Sequence, residues 1–544
     1  MIDCNKIIRR YEKLKSHRDG YWLQLWREVR RFVYPTESDW KTEGSERGND
    51  IFDTTAVESR QRLAAGMYNW MAPPDKRWFE LQSANDELAK DEEVKDYFSE
   101  VTKQIRLAMA NSNWATCLIQ VLNELATGID GIVFADEDQG NLNFSCFPAE
   151  SVVYANNSKG RVDTVFRELV MTARQMVQEF GEERLPEKVR KAAEKTDGKQ
   201  DEEFRILHAV YPRMNRDPEM IDNKNMPFAD VYIELESKVC IYESGFEELP
   251  YAVCRFEKSS REGYGRGPGI NKLPDIRMLN RMRQSYILNS EHAADPSWLI
   301  PADSVDTKKF NKDPGSVIFY KAVVGGAKPE MLPCGGNLQK LAADIEEERN
   351  KIKLGFFLDI FDPLGDLKNI TATEAEIRNE GKIVPFAPIA GNMHSELFAP
   401  LIHRIYGILQ RSGKLPEPPE KLREQPDYKV DYVSKIALSI KKLESLGWLQ
   451  TEASLANMMQ VKPDIVDNFE LDDIARDMAL NNGSAPKYLR SVKDRDRIRA
   501  EREQQLAAEQ EAAMLAQGAA LAPDLAKAPE AGSPLGAVMS GNGV

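Results

Sequence analysis

Glycine concentrates in Gly263-Tyr-Gly265-Arg-Gly267-Pro-Gly269, the run whose spacing comes nearest to a phosphate-binding loop. GxGxxG needs its third glycine where this chain has Pro268, and no strand leads into a GxxxxGK[ST] loop elsewhere. The run therefore reads as a flexible entry into the helix that follows. Asp136-Glu-Asp138, before Gln139 and Gly140, carries the charge of a cation loop without the calcium spacing, and reads as a solvated hairpin turn. The histidines His17, His208, His292, His394 and His403 form no HExxH pair, and no GxSxG elbow is present. Six scattered cysteines without a CxxC pair favour reduced thiols over a disulfide framework or a zinc site. Neither catalysis nor a metal nor any cofactor is expected.

The elements around these residues centre on the stretch from Asn271 to Phe361. A first amphipathic helix from about Leu273 to His292 has Pro274 near its start and Ile276, Leu279, Met282, Tyr286 and Ile287 at helical spacing. A second, from Leu338 to about Phe361, repeats Leu338, Leu341, Ile345, Ile352 and Phe356 in a near-heptad pattern. Each would span roughly 30 Å. Between them, Asp295 to Gly336 offers strands at Ser297–Pro301 and Ser316–Lys321. The result is an out-and-back arm with a small head, or a helical hairpin buried in a large domain. The dense charge of the second helix, including Lys340, Glu347, Glu348, Lys351 and Lys353, leaves only a narrow apolar seam of Leu341, Ile345 and Ile352, which suits lateral assembly.

A chain of 544 residues exceeds one hydrophobic core. Its 42% hydrophobic and 29% charged residues, with no apolar run near the ~20 residues that cross a bilayer, mean that no membrane span and no membrane partner are expected. The charged N-terminus lacks a secretory h-region, so a cytoplasmic location is expected. A net charge of −14 argues against a general nucleic-acid-binding surface, yet an acidic wall also suits a passage through which DNA slides without sticking.

Along the chain, helices are expected from Asn5 to Tyr34, Thr55 to Met71, Glu92 to Asn111 and Ala115 to Thr127. Strands follow at Gly131–Ala135, Leu142–Phe147, Val152–Ala155, Val162–Leu169, Phe204–Tyr211, Phe228–Glu236 and Val239–Tyr242, with a helix at Thr172–Phe180. Thr371 and Glu374 form a capping box, and a helix from Met393 to Arg411 follows a kink at Pro385 and Pro388. Ser434–Met459 and Ile465–Leu480 read as helical. Ser491 caps a charged helix to about Gln517, before a polar, Gly- and Pro-rich tail. The fold class is α+β and mainly helical.

Asp53-Thr-Thr, Leu63-Ala-Ala-Gly66, Pro73-Pro74, Trp78-Phe79, Phe147-Pro-Ala-Glu150, Gly160-Arg-Val162 and Arg167 occur in this order. Leu273-Pro-Asp-Ile276, Ala293-Ala-Asp-Pro296, Thr371-Ala-Thr-Glu374, Leu401-Ile-His-Arg404 and Gly413-Lys-Leu-Pro416 continue it. The set, over about residues 5 to 515, resembles the portal, or head-to-tail connector, protein of short-tailed bacteriophages.

The resemblance implies a non-enzymatic dodecameric ring at one capsid vertex, through which double-stranded DNA is packaged and ejected. Its partners would be other copies of the chain, the viral DNA, a terminase, a tail adaptor, and the major capsid and scaffolding proteins. Its place would be the virion, after assembly in the host cytoplasm. The implied parts are a wing and body at 1–270, stem helices at 271–294 and 337–361, a clip at 295–336 and a channel loop at 362–370. A wing helix and connector at 371–433, a crown at 434–483, a barrel helix at 484–517 and a disordered tail at 518–544 complete it. In the channel, Lys368 is the first candidate for contact with DNA, followed by Lys340, Lys351 and Lys353, with Glu347 and Glu348 as neighbours able to pair with them. Leu341, Ile345 and Ile352 are the candidates for ring assembly. A helical adaptor or scaffold protein and a phage nucleic-acid enzyme are the alternatives.

Overall fold

The computed structural model describes residues 3–37, 48–74, 76–138, 141–194, 199–217, 219–220, 222–294, 298–299, 330–331, 337–361, 383–423, 427–441, 448, 451–452, 454–455, 462–481, 484 and 488–525. It divides into two compact units, Met1–Gly447 and Trp448–Val544. The division falls inside the stretch read as the crown.

In the first unit, α1 (Cys4–Val33) is one continuous helix capped by Asp3, whose carboxylate accepts the Lys6 N–H. It packs on α2 (Thr55–Met71), which stops before the two prolines, and on α4 (Trp114–Thr127). Gly128 closes α4 with a left-handed φ of 96°, a conformation that favours glycine. α3 (Glu92–Ala110) lies against β1 (Phe79–Ser83).

Antiparallel sheets of three and five strands form most of the β component among the described residues. β2 (Gly131–Asp138) lies between β3 (Asn141–Phe147) and β9 (Tyr251–Cys254). The acids expected in a turn continue the strand, with Asp136, Glu137 and Asp138 facing Asn143, Leu142 and Asn141. The other sheet is a meander of β4 (Val152–Asn156), β5 (Val162–Thr172), β6 (Glu203–Pro212), β7 (Phe228–Glu234) and β8 (Val239–Phe246). Alternation in β6 covers both faces: Leu207 and Ala209 join Ile7, Ile8 and Tyr11 of α1, while Phe204 and Ile206 join α5 (Ala173–Phe180) and α6 (Glu187–Ala193). Thr172 and Gln175 close a capping box on α5.

From Gly265 to Gly269 the glycine run is close-packed and not an open hinge. A Cβ on Gly269 would lie 2.2 Å from the Thr127 carbonyl oxygen. Gly267 precedes α7 (Pro268–Asn271), whose proline takes the first turn, where no N–H is needed. α8 (Leu273–Ala294) then pairs with α9 (Leu338–Gly355), while β10 (Trp298–Leu299) and β11 (Glu330–Met331) are the described part of the head between them. The second long helix does not reach Phe361 unbroken. Phe357 takes a left-handed φ of 57°, and α10 (Leu358–Phe361) follows as a separate turn. The rings explain the break: Phe356 is fully buried, while Phe357 packs on Phe256 and Phe386.

The two prolines expected to kink the later helix sit in opening turns, Pro385 in Val384–Phe386 and Pro388 in Ala387–Met393. The irregularity falls instead on a π-helical turn, His394–Phe398, just before Pro400 in helix Ala399–Arg411. Pro400 lacks an N–H and crowds the preceding turn, which a widened turn accommodates. β12 (Tyr428–Tyr432), not anticipated, pairs with β1 in the register Phe79↔Tyr432. The capping box at Thr371 lies outside the described residues.

In the second unit, the helix expected at Ile465–Leu480 divides into a 3-10 stretch, Pro463–Asn468, and the helix Leu471–Asn481. Ser491 accepts the Asp494 N–H at the start of helix Val492–Leu525, which continues past the expected end into the segment read as tail.

Candidate functional site

The helical hairpin leaves the body at a defined point. Buried residues of α8 stop at Leu279 after Leu273 and Ile276, and those of α9 begin at Ile345 and continue with Glu348 and Ile352. Beyond them Met282, Tyr286, Ile287 and Leu341 are half-buried, and Leu288 is 49% exposed. Two of the three seam residues are therefore covered within a single chain, Ile345 at 3% and Ile352 at 0% exposure. Only Leu341 retains free surface.

The base of the hairpin is held by the loop before α2. Asn280 on α8 donates to the Asp50 carbonyl (2.8 Å) and accepts the Phe52 N–H (2.7 Å). Arg349 on α9 reaches Asp53 through Nε (2.9 Å) and Nη2 (2.7 Å). Burial pushes the Asp53 carboxyl up, but bonds from Thr55 and Arg349 outweigh it and hold the group below its ordinary range. Gly66 supplies the contact for α10: a Cβ there would fall 2.4 Å from the Phe361 ring, which also meets Trp70 edge-on at 5.4 Å. Asp53-Thr-Thr and Leu63-Ala-Ala-Gly66 thus form the socket of the hairpin.

Lys340, Lys351, Lys353 and Glu347 are exposed, and Glu348 is buried. Lys351 Nζ lies 2.8 Å from Glu347 and 2.7 Å from Glu348, which raises its pKa and largely neutralises it as a contact for phosphate. Among the described residues Lys340 and Lys353 face no carboxylate, so these two are the available cations of α9. The remaining candidate, Lys368, lies outside the described residues.

Beneath the hairpin the body is braced by buried charge that the sequence reading missed. Arg30 bridges Glu124 (2.9 and 2.7 Å) and Glu150 (2.6 and 3.0 Å), tying α1 to α4 and to the turn before β4. Burial raises the Glu124 carboxyl, against the pull of Arg30. Arg255 donates to Glu396 in the π-helical turn through its backbone N–H (3.2 Å) and Nε (3.0 Å), and to Gly160 O through Nη2. Asp130 accepts from Tyr154 Oη (2.7 Å) and the Gly265 N–H (3.0 Å), while burial pushes its carboxyl up to about 7. A signal for Arg30 was present, since it continues the stripe of Trp22, Trp26, Val29 and Val33. Asp130 had none.

His208 is buried between Asp230 (2.9 Å) and Tyr251 Oη (2.8 Å) and stacks on Tyr232. At 1% exposure the ring meets no reactant, so its part is structural. Burial takes His394 down to about 4. Among the described residues no group of three or more His, Cys, Asp or Glu side chains is placed to hold a metal, and no helix is long and apolar enough to cross a membrane.

The family described as bacteriophage head to tail connecting protein matches residues 4–489. The chain belongs to this family. It is 28% identical over 524 residues to a probable portal protein of Bordetella phage BPP-1, covering 94% of this chain and 93% of that one. It is also 28% identical over 529 residues to the portal protein of Salmonella phage epsilon15, covering 94% of each. A chain from the virion of a native gene transfer agent particle aligns at TM-score 0.37 and 10% identity, over 78% of this chain and 95% of that chain, a likeness too slight to bear on the fold. For this head-to-tail connecting protein, a mainly helical α+β chain and a structural place in the virion follow from the family and from the elements described above.

Proposed function

We propose that the chain is a portal subunit that closes with other copies, twelve on the resemblance, into a ring around a passage for double-stranded DNA. The observation that carries this is the near full-length similarity to two phage portal proteins, joined to a hairpin whose outer half is only partly covered in the single chain. Uncovered apolar side chains on long paired helices gain most from burial against the same helices of neighbouring copies. The surface available for that contact is Leu288, Leu341, Met282 and Tyr286, with Ile345 and Ile352 supporting it from inside. Terminase and tail adaptor are assigned to the head of the hairpin, the capsid to the body, and assembly to the host cytoplasm.

Passage of DNA calls for walls that repel phosphate, with few cations. Lys368 remains the first of these, then Lys340 and Lys353. Particle mass and class-averaged electron micrographs of the purified chain test the ring directly: about a dozen copies around a central opening is the expected result, and a monomer at all concentrations overturns it. Lys368→Glu is expected to keep the ring and weaken DNA retention in filled heads in a salt-dependent way. Retention equal to wild type at every salt concentration removes Lys368 alone.

A further inference from the structure

The second unit holds a concavity of about 270 Å³ lined by Arg476, Arg490, Arg495, Ile498, Arg499 and Arg502. Three of the arginines, 495, 499 and 502, recur on one face of helix Val492–Leu525. The other two come from helix Leu471–Asn481 and from the segment before Ser491, joined by a bond from Arg476 Nη1 to the Arg490 carbonyl (3.0 Å).

Two acids enter the cluster: Asp472 accepts from Arg499 (2.5 and 2.7 Å) and lies 3.0 Å from Arg495, and Asp496 accepts from Arg495 Nε (2.8 Å). Among the described residues Arg490 and Arg502 have no carboxylate partner. From Leu471 to Arg502 eight basic residues stand against six acidic ones, in a chain whose net charge is −14. Five guanidinium groups gathered around two carboxylates, Asp472 and Asp496, repel one another, and the species that relieves this is an anion with several acceptor oxygens, which planar forks grip in pairs.

We propose that this concavity binds phosphate oxyanions and that the backbone of duplex DNA supplies them. The choice of DNA rests on the reading of the chain as a portal subunit; the phosphate chemistry does not. Acids of a neighbouring copy fit less well, because Asp494, Asp496 and Glu501 on the same turns are already paired with Arg497 and Arg495. Lysine-bearing α9 would let DNA pass, while this pocket would hold it.

The test uses the full-length chain, Arg490→Gln/Arg502→Gln and Arg490→Lys/Arg502→Lys, with a labelled duplex of about 30 base pairs and with sodium tripolyphosphate as probes. Both arginines lie on the surface of the unit, and helix content by circular dichroism checks that the variants fold. The glutamine variant is expected to lose about tenfold in duplex affinity at low salt and to flatten the salt dependence by about two charges, while the lysine variant keeps most of that slope. Tripolyphosphate is expected to compete with duplex on the wild-type chain. Duplex binding equal in all three proteins overturns the assignment to DNA. Loss of tripolyphosphate binding alone points to a small phosphate and also overturns DNA as the source. A fall in particle mass with duplex affinity unchanged shows that the pocket takes a neighbour's carboxylate, and overturns the proposal. Loss of duplex binding by a chain that never forms rings would uphold the pocket and remove the portal reading.

Discussion

The body and the C-terminal unit use arginine in opposite ways. In the body Arg30 and Arg255 are 1% exposed and fully engaged, each tying together segments about a hundred residues or more apart. In the C-terminal unit neither long helix has a buried described residue, and its arginines lie at or near the surface, Arg490 and Arg502 with no carboxylate partner among the described residues. A charge inside a core is costly to bury and costlier to strand, so its partner is fixed along with the fold. A charge at a surface concavity costs little and is free to meet a ligand.

The largest effect is expected at Arg30. Arg30→Met leaves Glu124 and Glu150 buried without their cation, and is expected to cost about 3–5 kcal/mol; denaturant unfolding of the body measures it. Adding Glu124→Gln and Glu150→Gln should recover most of the loss. A destabilisation below about 1 kcal/mol would mean that water reaches the cluster.

Next comes the hairpin. Ile345→Asp places a carboxylate in a site 3% exposed and is expected to destabilise the subunit itself by several kcal/mol. Leu288→Asp, at a site 49% exposed, should leave subunit unfolding unchanged while preventing rings, as read by sedimentation. Equal ring loss with no change in folding for both variants would return the inner seam to the interface.

Two carboxyls of the body respond to pH in opposite directions. Glu168 accepts from Tyr11, Lys15 and Arg205 and is held down to about 2, so its contribution is complete above its ordinary 4.5 and is lost as pH falls through 2. Asp130 is pushed up from 3.8 to about 7, so the folded state binds the extra proton and stability falls as pH rises through that interval. Glu168→Gln should therefore flatten the acid limb of the thermal midpoint. Asp130→Asn should gain on wild type between pH 4 and 8. Opposite slopes would reverse either assignment.

The smallest effects belong to surface pairs. Lys351→Ala, losing an exposed contact with Glu347 and a partner of the buried Glu348, is expected to cost about 1 kcal/mol, and Arg497→Ala in the C-terminal unit, losing only exposed contacts, less than about 0.5 kcal/mol.

The elements that local spacing encodes were legible. α2 ends at Met71 as the following Pro73 and Pro74 dictate, the five-stranded meander follows its alternating residues, and the paired helices stand where their apolar repeats put them. Period and punctuation act within a few residues, so a sequence carries them openly. β12 shows the limit. Tyr428-Lys-Val-Asp-Tyr432 alternates as a strand should, but five residues mean little until β1, some 350 positions earlier, supplies the partner edge.

The candidate site divides in the same way. That α9 has a narrow apolar face could be read from Leu341, Ile345 and Ile352. That two of these face their own chain was decided by α8 and α2 closing over them. The pairing of Lys351 with Glu347 and Glu348 follows from helical spacing, whereas the pairing of Arg349 with Asp53 needed the loop before α2 to arrive from nearly 300 residues away. The five arginines of the C-terminal concavity appear in the sequence as an ordinary charged helix and its approach. Only the turn that lays Arg476 and Arg490 against Arg495, Arg499 and Arg502 gathers them. Sequence by itself set which residues prefer helix, strand or turn, because those preferences are local. Which charges meet, and which apolar faces remain uncovered, was decided by tertiary structure, because both depend on what the rest of the chain brings alongside.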